Sequence, residues 1–153
     1  MSQLSTYSFL DFMAGISGPG GSINLGQGAG VGEEGCTIEM AEDKGTLTIG
    51  ADGTPMHSLH GGRAGMLTLR LLKTSPTNAL LYAMYELQAL SSANWGQNTI
   101  VISDSVRGDV ITCTAVAFKK VPNLTYAKVG GMNEWTFNAG RINGLLGAAA
   151  AFG

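Results

Sequence analysis

Arg-Leu-Leu-Lys-Thr-Ser-Pro-Thr-Asn-Ala-Leu-Leu-Tyr-Ala-Met-Tyr-Glu-Leu-Gln-Ala-Leu, residues 70–90, is the stretch on which the fold turns, because it holds the one convincing helix of the chain. Ser75 suits an N-cap, since its hydroxyl accepts a bond from an unpaired backbone N–H of the first turn, and Pro76 behind it needs no donor partner. The spacing therefore predicts a helix over about residues 76–90. Leu80, Ala83, Met84, Leu87 and Leu90 fall on one helical face, and Leu81, Tyr82 and Tyr85 widen it well beyond a single stripe. Glu86 is its only charge. A helix with so little charge on its back is expected to be covered on a second side, by another copy of the chain.

Around the helix the pattern is one of strands and glycine-rich turns. Residues 8–16 alternate, with Leu10, Phe12, Ala14 and Ile16 on one side, and Gly18-Pro19-Gly20-Gly21 turns them into a short returning strand at 22–25. Glycine at every second position of 26–32 reads as a loop. It is no phosphate cradle, because no amphipathic helix follows. Cys36 to Glu42 and Thr46 to Gly50 read as two half-polar strands joined into a hairpin by Asp43-Lys44-Gly45. Its wetted face would carry Thr37, Glu39, Thr46 and Thr48, with Glu42 and Asp43 near the tip. Such a face is either ordinary solvated surface or the wall of a water-filled passage.

Ala51 to Gly65 reads as a long loop, a feature that in a compact domain is usually functional or holds a partner. Met66 to Leu72 is a strand leading to the helix. After the helix come a loop with Trp95, a strand at 99–103, a long and kinked or bulged strand at 109–120, a possible resumption at 124–127, and a strand at 133–142 with Trp135 and Phe137 on one side. The end, from Gly144 to Gly153, is apolar and uncharged and is expected to dock.

Composition narrows the function classes. In 153 residues one domain is expected. Charged residues make up 13%, about half the usual share, so an obligate assembly that hides surface fits better than a solitary monomer. A net charge of −2 supplies no basic footprint for gripping nucleic acid. Cys36 and Cys113 make no disulfide framework and read as buried thiols. Neither a signal peptide nor an apolar run of the ~20 residues that span a bilayer is evident, so synthesis in the cytosol is expected.

No catalytic constellation stands out. Asp52, His57 and Ser58 sit on one loop with no nucleophile elbow. His57 and His60 are three apart without a third metal ligand, and Glu33, Glu34, Glu39, Glu42 and Asp43 lack the spacing of a calcium loop. No cofactor is expected. What remains is a building block.

Several strings carry a resemblance: Thr6-Tyr7-Ser8-Phe9-Leu10-Asp11, Gly18-Pro19-Gly20-Gly21, Gly30-Val31-Gly32-Glu33-Glu34-Gly35, Ile38-Glu39-Met40-Ala41-Glu42-Asp43-Lys44, Met56-His57-Ser58-Leu59-His60, Leu71-Leu72-Lys73-Thr74-Ser75-Pro76 and Arg107-Gly108-Asp109-Val110. Together they resemble the tail tube proteins of contractile-tailed bacteriophages over nearly the whole chain. The alanine-rich end from Gly147 onward has no match.

The resemblance implies a mainly β fold, a β-sandwich or half-barrel with one flanking helix and long loops, as a single tail-tube domain over 1–153. An N-terminal arm (1–6) and the apolar tail (144–153) would be interface segments. It further implies a virion subunit made in the host bacterial cytoplasm, forming stacked hexameric rings. Sheath, baseplate and tape-measure proteins would be its partners, and DNA would transit the lumen without specific binding. Thr37, Glu39, Glu42, Thr46 and Thr48 are then candidates for the lumen wall. Met56, His57, Leu59, His60, Arg63, Leu145, Leu146 and Phe152 are candidates for contacts between subunits or rings. Two rival readings share the architecture: the tube of a secretion or bacteriocin-like contractile machine, and a virion decoration module binding through Trp95 and Trp135.

Overall fold

A computed structural model describes residues 12–25, 31–104 and 108–146. The chain is mainly β, with nine strands and one helix among those residues: β1 (Phe12–Gly18), β2 (Gly21–Asn24), β3 (Val31–Met40), β4 (Gly45–Ile49), β5 (Pro55–Leu59), β6 (Gly65–Leu72), α1 (Thr77–Ala89), β7 (Asn98–Asp104), β8 (Asp109–Lys120) and β9 (Met132–Leu145). Seven strands form one antiparallel sheet in the order β2-β1-β7-β8-β9-β6-β3, while β4 and β5 pair only with each other.

Alternation decides which face of the large sheet is dry. Leu67, Leu69 and Leu71 of β6, Ile100 and Ile102 of β7, Trp135, Phe137 and Ala139 of β9, and Ala14 and Ile16 of β1 all point to one core. One helix of 13 residues closes it, and the sheet must curl to let it do so. Cys36 on β3 and Cys113 on β8 stand three strands apart, about 14 Å in a flat sheet, yet both pack on the same core. The result is a half-barrel around a single apolar filling.

The long strand β8 is bulged, as its length predicts. Ala115 adopts φ 53°, a left-handed backbone that side chains disfavour. Opposite it stands Gly140, where a Cβ would come within 2.8 Å of the Ala115 Cβ, so only glycine leaves room for the bulge. The register of β7 on β8 slips between Asn98 and Ile100 in consequence.

The helix begins one residue later than expected, at Thr77, with Pro76 rather than Ser75 at the N-cap. Ser75 Oγ accepts from Thr77 N at 3.3 Å, and Pro76 has φ −65°. Its inward face differs from the expected one: Thr77, Leu81, Met84 and Gln88 are buried, whereas Leu80, Leu87 and Leu90 are exposed. A half-buried amide, Asn78, and a buried one, Gln88, fix this orientation. Asn78 Oδ1 accepts from Trp135 Nε1 at 2.9 Å at one end, and Gln88 donates to the Pro19 carbonyl at 2.9 Å at the other.

The expected hairpin between residues 36–42 and 46–50 does not form. β3 pairs with β6, from Cys36 on Leu69 to Met40 on Gly65, because its half-buried Cys36 and Ile38 pack on the core. β4 pairs instead with β5, inside the stretch read as a long loop. The glycine-rich loop also ends earlier than expected, with Val31 and Gly32 already in β3. Residues 124–127 form no strand. The terminal strand continues to Leu145, taking in the start of the expected tail.

Candidate functional site

Three surfaces stand out, and each follows from strand pattern. The first is the β4–β5 ribbon. Residues paired across an antiparallel ribbon share a face. Leu47 opposite His57, Ile49 opposite Pro55, and Leu59 opposite Gly45 therefore make one face, and Thr46 opposite Ser58 and Thr48 opposite Met56 make the other. Both faces are open to water: Leu47 is 54%, Ile49 57%, Met56 58% and Leu59 83% exposed. The ribbon is tied down at its base. There His60 N donates to Lys44 O at 2.9 Å, Ala41 N to Ala64 O at 2.9 Å, and Thr46 Oγ1 meets His60 Nε2 at 2.6 Å. An isolated two-stranded ribbon is marginal in water, and an uncovered apolar face makes it more so.

The second surface is the wet face of the large sheet. Arg70 on β6 donates to Thr37 Oγ1 on β3 at 3.0 Å and pairs with Glu134 on β9 at 3.5 Å. Beside them lie Glu39, Thr68 and Asn138, so the face is rich in hydroxyls and amides with charges of both signs. The third surface is the outer ridge of α1, where Leu80 and Leu87 border an apolar groove against the β1–β2 turn.

Of the expected wall residues, Thr37 and Glu39 lie two apart on β3 and Thr46 and Thr48 two apart on β4. They thus belong to two separate sheets rather than to one hairpin. Glu42 follows β3 and rests its carboxylate over Gly62. Arg70, Glu134 and Asn138 were not among the expected residues. Their alternation with buried neighbours was visible in sequence, but only the register joins them to Thr37. Among the expected contact residues, Met56, His57 and Leu59 lie on the ribbon and His60 at its base. Arg63 donates to Asn143 Oδ1 at 2.7 Å, and Leu145 and Leu146 are exposed. Phe152 lies outside the described residues.

The chemical groups are dispersed. His57 and Ser58 are neighbours on a strand and so face opposite sides of the ribbon. Asp52 Oδ1 accepts from Thr54 N at 3.0 Å within the turn, which holds its carboxyl below the usual range. Trp135, offered as an exposed binding aromatic, is 2% exposed with its indole N–H committed to Asn78. Trp95 is partly exposed and stacks edge-on with Tyr85 at 6.1 Å. Cys113 is buried and Cys36 only half-buried. Burial pushes the Cys36 thiol up to about 12, Cys113 adds to that, and Arg70 opposes it. No helix among the described residues is long and apolar enough to cross a membrane.

Comparison with known proteins meets this geometry. The family model described as Bacteriophage PhiTE tail tube protein matches residues 4–147. No curated protein sequence matches the chain. Among solved structures, the anti-feeding prophage cap (AFP tube terminating cap) superposes with a TM-score of 0.57 at 12% identity, covering 95% of each chain. A chain of the sheath-tube complex of an extracellular contractile injection system, PVC, in its extended state gives 0.56 at 11% identity, covering 92% of each. A chain of the PVC sheath/tube terminator gives 0.59 at 13% identity, covering 94% of this chain and 99% of that one. These structures share the fold.

Proposed function

The chain belongs to the bacteriophage PhiTE tail tube protein family, and from that premise we propose that it closes into hexameric rings that stack as a hollow conduit for DNA inside a contractile sheath. It is a structural subunit of the viral tail tube. The finer assignments, ring size, stacking, passage of DNA, synthesis in the host cytoplasm and contact with sheath, baseplate and tape-measure proteins, are our reading.

The observation that carries it is the β4–β5 ribbon. Four apolar side chains, Leu47, Ile49, Met56 and Leu59, stand in water on an element with no strand partner in the body among the described residues. At roughly 25 cal/mol per Å² of apolar surface, leaving them uncovered forgoes several kcal/mol that a neighbouring subunit supplies. The single domain would then offer the ribbon, the N-terminal arm (1–6) and the tail (144–153) to its neighbours. Met56, His57, Leu59, His60, Arg63, Leu145, Leu146 and Phe152 are the contact residues in this reading.

The wet sheet face suits the conduit. Thr37, Glu39 and Glu42, joined by Arg70 and Glu134 and extended by Thr46 and Thr48 of the ribbon, would line the lumen. Hydroxyls and carboxylates outweigh the cations on this face, where Arg70 is paired with Glu134 and Lys119 lies against Met66, whereas a predominantly basic wall would arrest sliding phosphates.

Negative-stain electron microscopy of the purified protein tests the reading. Hollow tubes of uniform width with a short axial repeat are expected. A stable monomer at millimolar concentration, with no repeating array in the mature particle, would overturn it.

A further inference from the structure

The ribbon and the helix groove are two unsatisfied surfaces of one chain, and they match. A groove of about 320 Å³ runs between α1 and the outermost strand of the large sheet, bordered by Gly20, Ile23, Leu80, Ala83, Met84 and Leu87. None of these side chains is charged. Leu80 is 55% and Leu87 42% exposed. Strand β2, at the end of the sheet order, has no described strand on its outer side. A partner that both continues the sheet along residues 21–23 and brings apolar side chains to the helix ridge would satisfy edge and groove together.

Strand β4 has that chemistry. Gly45-Thr46-Leu47-Thr48-Ile49 carries no charge, its outer edge is unpaired among the described residues, and its five residues are long enough to span the four of β2. Leu47 and Ile49 project on one face at a strand spacing of two. The other ribbon edge suits this less well, because Pro55 of β5 has no N–H to give. A molecule does not fill its own groove: the ribbon follows β3, at the sheet edge opposite β2, and both surfaces are open.

The geometry points to β4 of a second copy lying along β2, with its Leu47 and Ile49 seated in the groove against Leu80 and Leu87. The inference rests on the tube-subunit reading and names the partner surfaces within it. Because ribbon and groove are different surfaces, the contact is head-to-tail and repeats from subunit to subunit.

Mixing two single variants, Leu47→Cys and Leu80→Cys, before assembly and then oxidising the tubes tests this. A disulfide-linked dimer containing one copy of each variant is expected, absent when either variant is assembled alone. Well-formed tubes without that dimer overturn the β4–β2 contact and leave the tube reading intact; wild-type protein that never forms tubes overturns the reading beneath it. Should the variants fail to fold or assemble, hydrogen exchange on wild-type protein decides. Amides of both β2 and β4 are expected to exchange more than about tenfold more slowly in tubes than in free subunits. Unchanged exchange in either strand overturns the contact.

Discussion

Gln88 and Asn98 exchange their amides in the interior: Gln88 Nε2 donates to Asn98 Oδ1 at 2.7 Å, and Asn98 Nδ2 donates to Gln88 Oε1 at 2.8 Å. Their remaining N–H groups reach the Pro19 carbonyl at 2.9 Å and the Val116 carbonyl at 3.0 Å. One pair thus joins α1, the β1–β2 turn, β7 and the bulge of β8, with every amide hydrogen used. Gly18 lies so close to Asn98 that a Cβ there would collide with the amide.

A buried network of this kind is strongly non-additive. Gln88→Leu leaves the Asn98 amide half-unpaired and is expected to cost about 2–4 kcal/mol. Asn98→Leu alone should cost a similar amount. The double variant is expected to cost less than the two losses summed, because neither amide is then stranded. Chemical denaturation of the free subunit across the double-mutant cycle measures the coupling, and additive losses would refute it.

At the other end of the helix, Asn78 accepts from Trp135 Nε1 at 2.9 Å while its own amide donates to Leu72 O at 2.9 Å and Ser75 O at 3.1 Å. Asn78→Ala strands the indole N–H and unties the turn before the helix, with an expected loss of about 1–3 kcal/mol. Asn78→Asp restores the acceptor and not the donors, so it should recover part of the loss. Tryptophan fluorescence during denaturation reads both, since Trp135 sits at the contact.

The elements built from local signals were legible in the sequence. Ser75-Pro76 marks the helix start to within one residue, and the alternation of Leu67, Leu69 and Leu71 marks β6, because each signal is complete within a few residues. Pairing was less legible. Thr37 and Thr46 have the same half-polar look, yet one belongs to the large sheet and the other to the ribbon, since the choice of partner depends on Cys36 and Ile38 packing on a distant core. The inward helix face is hard to read for a related reason: Gln88 reads as polar surface until Asn98 is placed beside it. The wall candidates Arg70 and Glu134 were hidden likewise, because cross-strand register is not written in either strand alone.

The thiols yield a chemical prediction. Burial, with Cys113 nearby, pushes Cys36 up to about 12 from an ordinary value of 9.0, and burial raises Cys113 as well. At pH 8 both are mainly protonated in the folded subunit, and Cys36 should alkylate with iodoacetamide at least about 30-fold more slowly than an ordinary thiol, the smaller thiolate fraction being partly offset by the greater nucleophilicity of a more basic thiolate. The sign for stability follows. The unfolded chain loses these protons near pH 9 while the folded chain keeps them, so the contribution is complete below pH 9. It is lost as pH rises from there through about 12. Mass spectrometry after timed alkylation, native against denatured, checks the rates; equal labelling would contradict the burial argument.

Reversing charge on the proposed wall separates lumen from interface. Glu39 is exposed on the edge strand β3, and the Glu42 carboxylate lies over Gly62 at the foot of the ribbon. Each Glu→Lys change adds two units of positive charge, so Glu39→Lys with Glu42→Lys takes the subunit from −2 to +2. If both side chains face the passing DNA, tubes form at wild-type yield. Phosphates then find a fixed cationic wall repeated at every subunit, and genome delivery slows by about tenfold or more. The slowing should shrink as salt rises, because counterions compete for the same phosphates. Glu42→Gln provides the control for local structure, since it keeps the side chain over Gly62 without its charge. Tube counts by electron microscopy, set beside DNA-release kinetics from particles carrying the variants, read the two effects apart. Loss of tubes in the Glu39→Lys variant alone would place that residue between subunits, and unaltered release from intact double-variant tubes would remove both glutamates from the lumen.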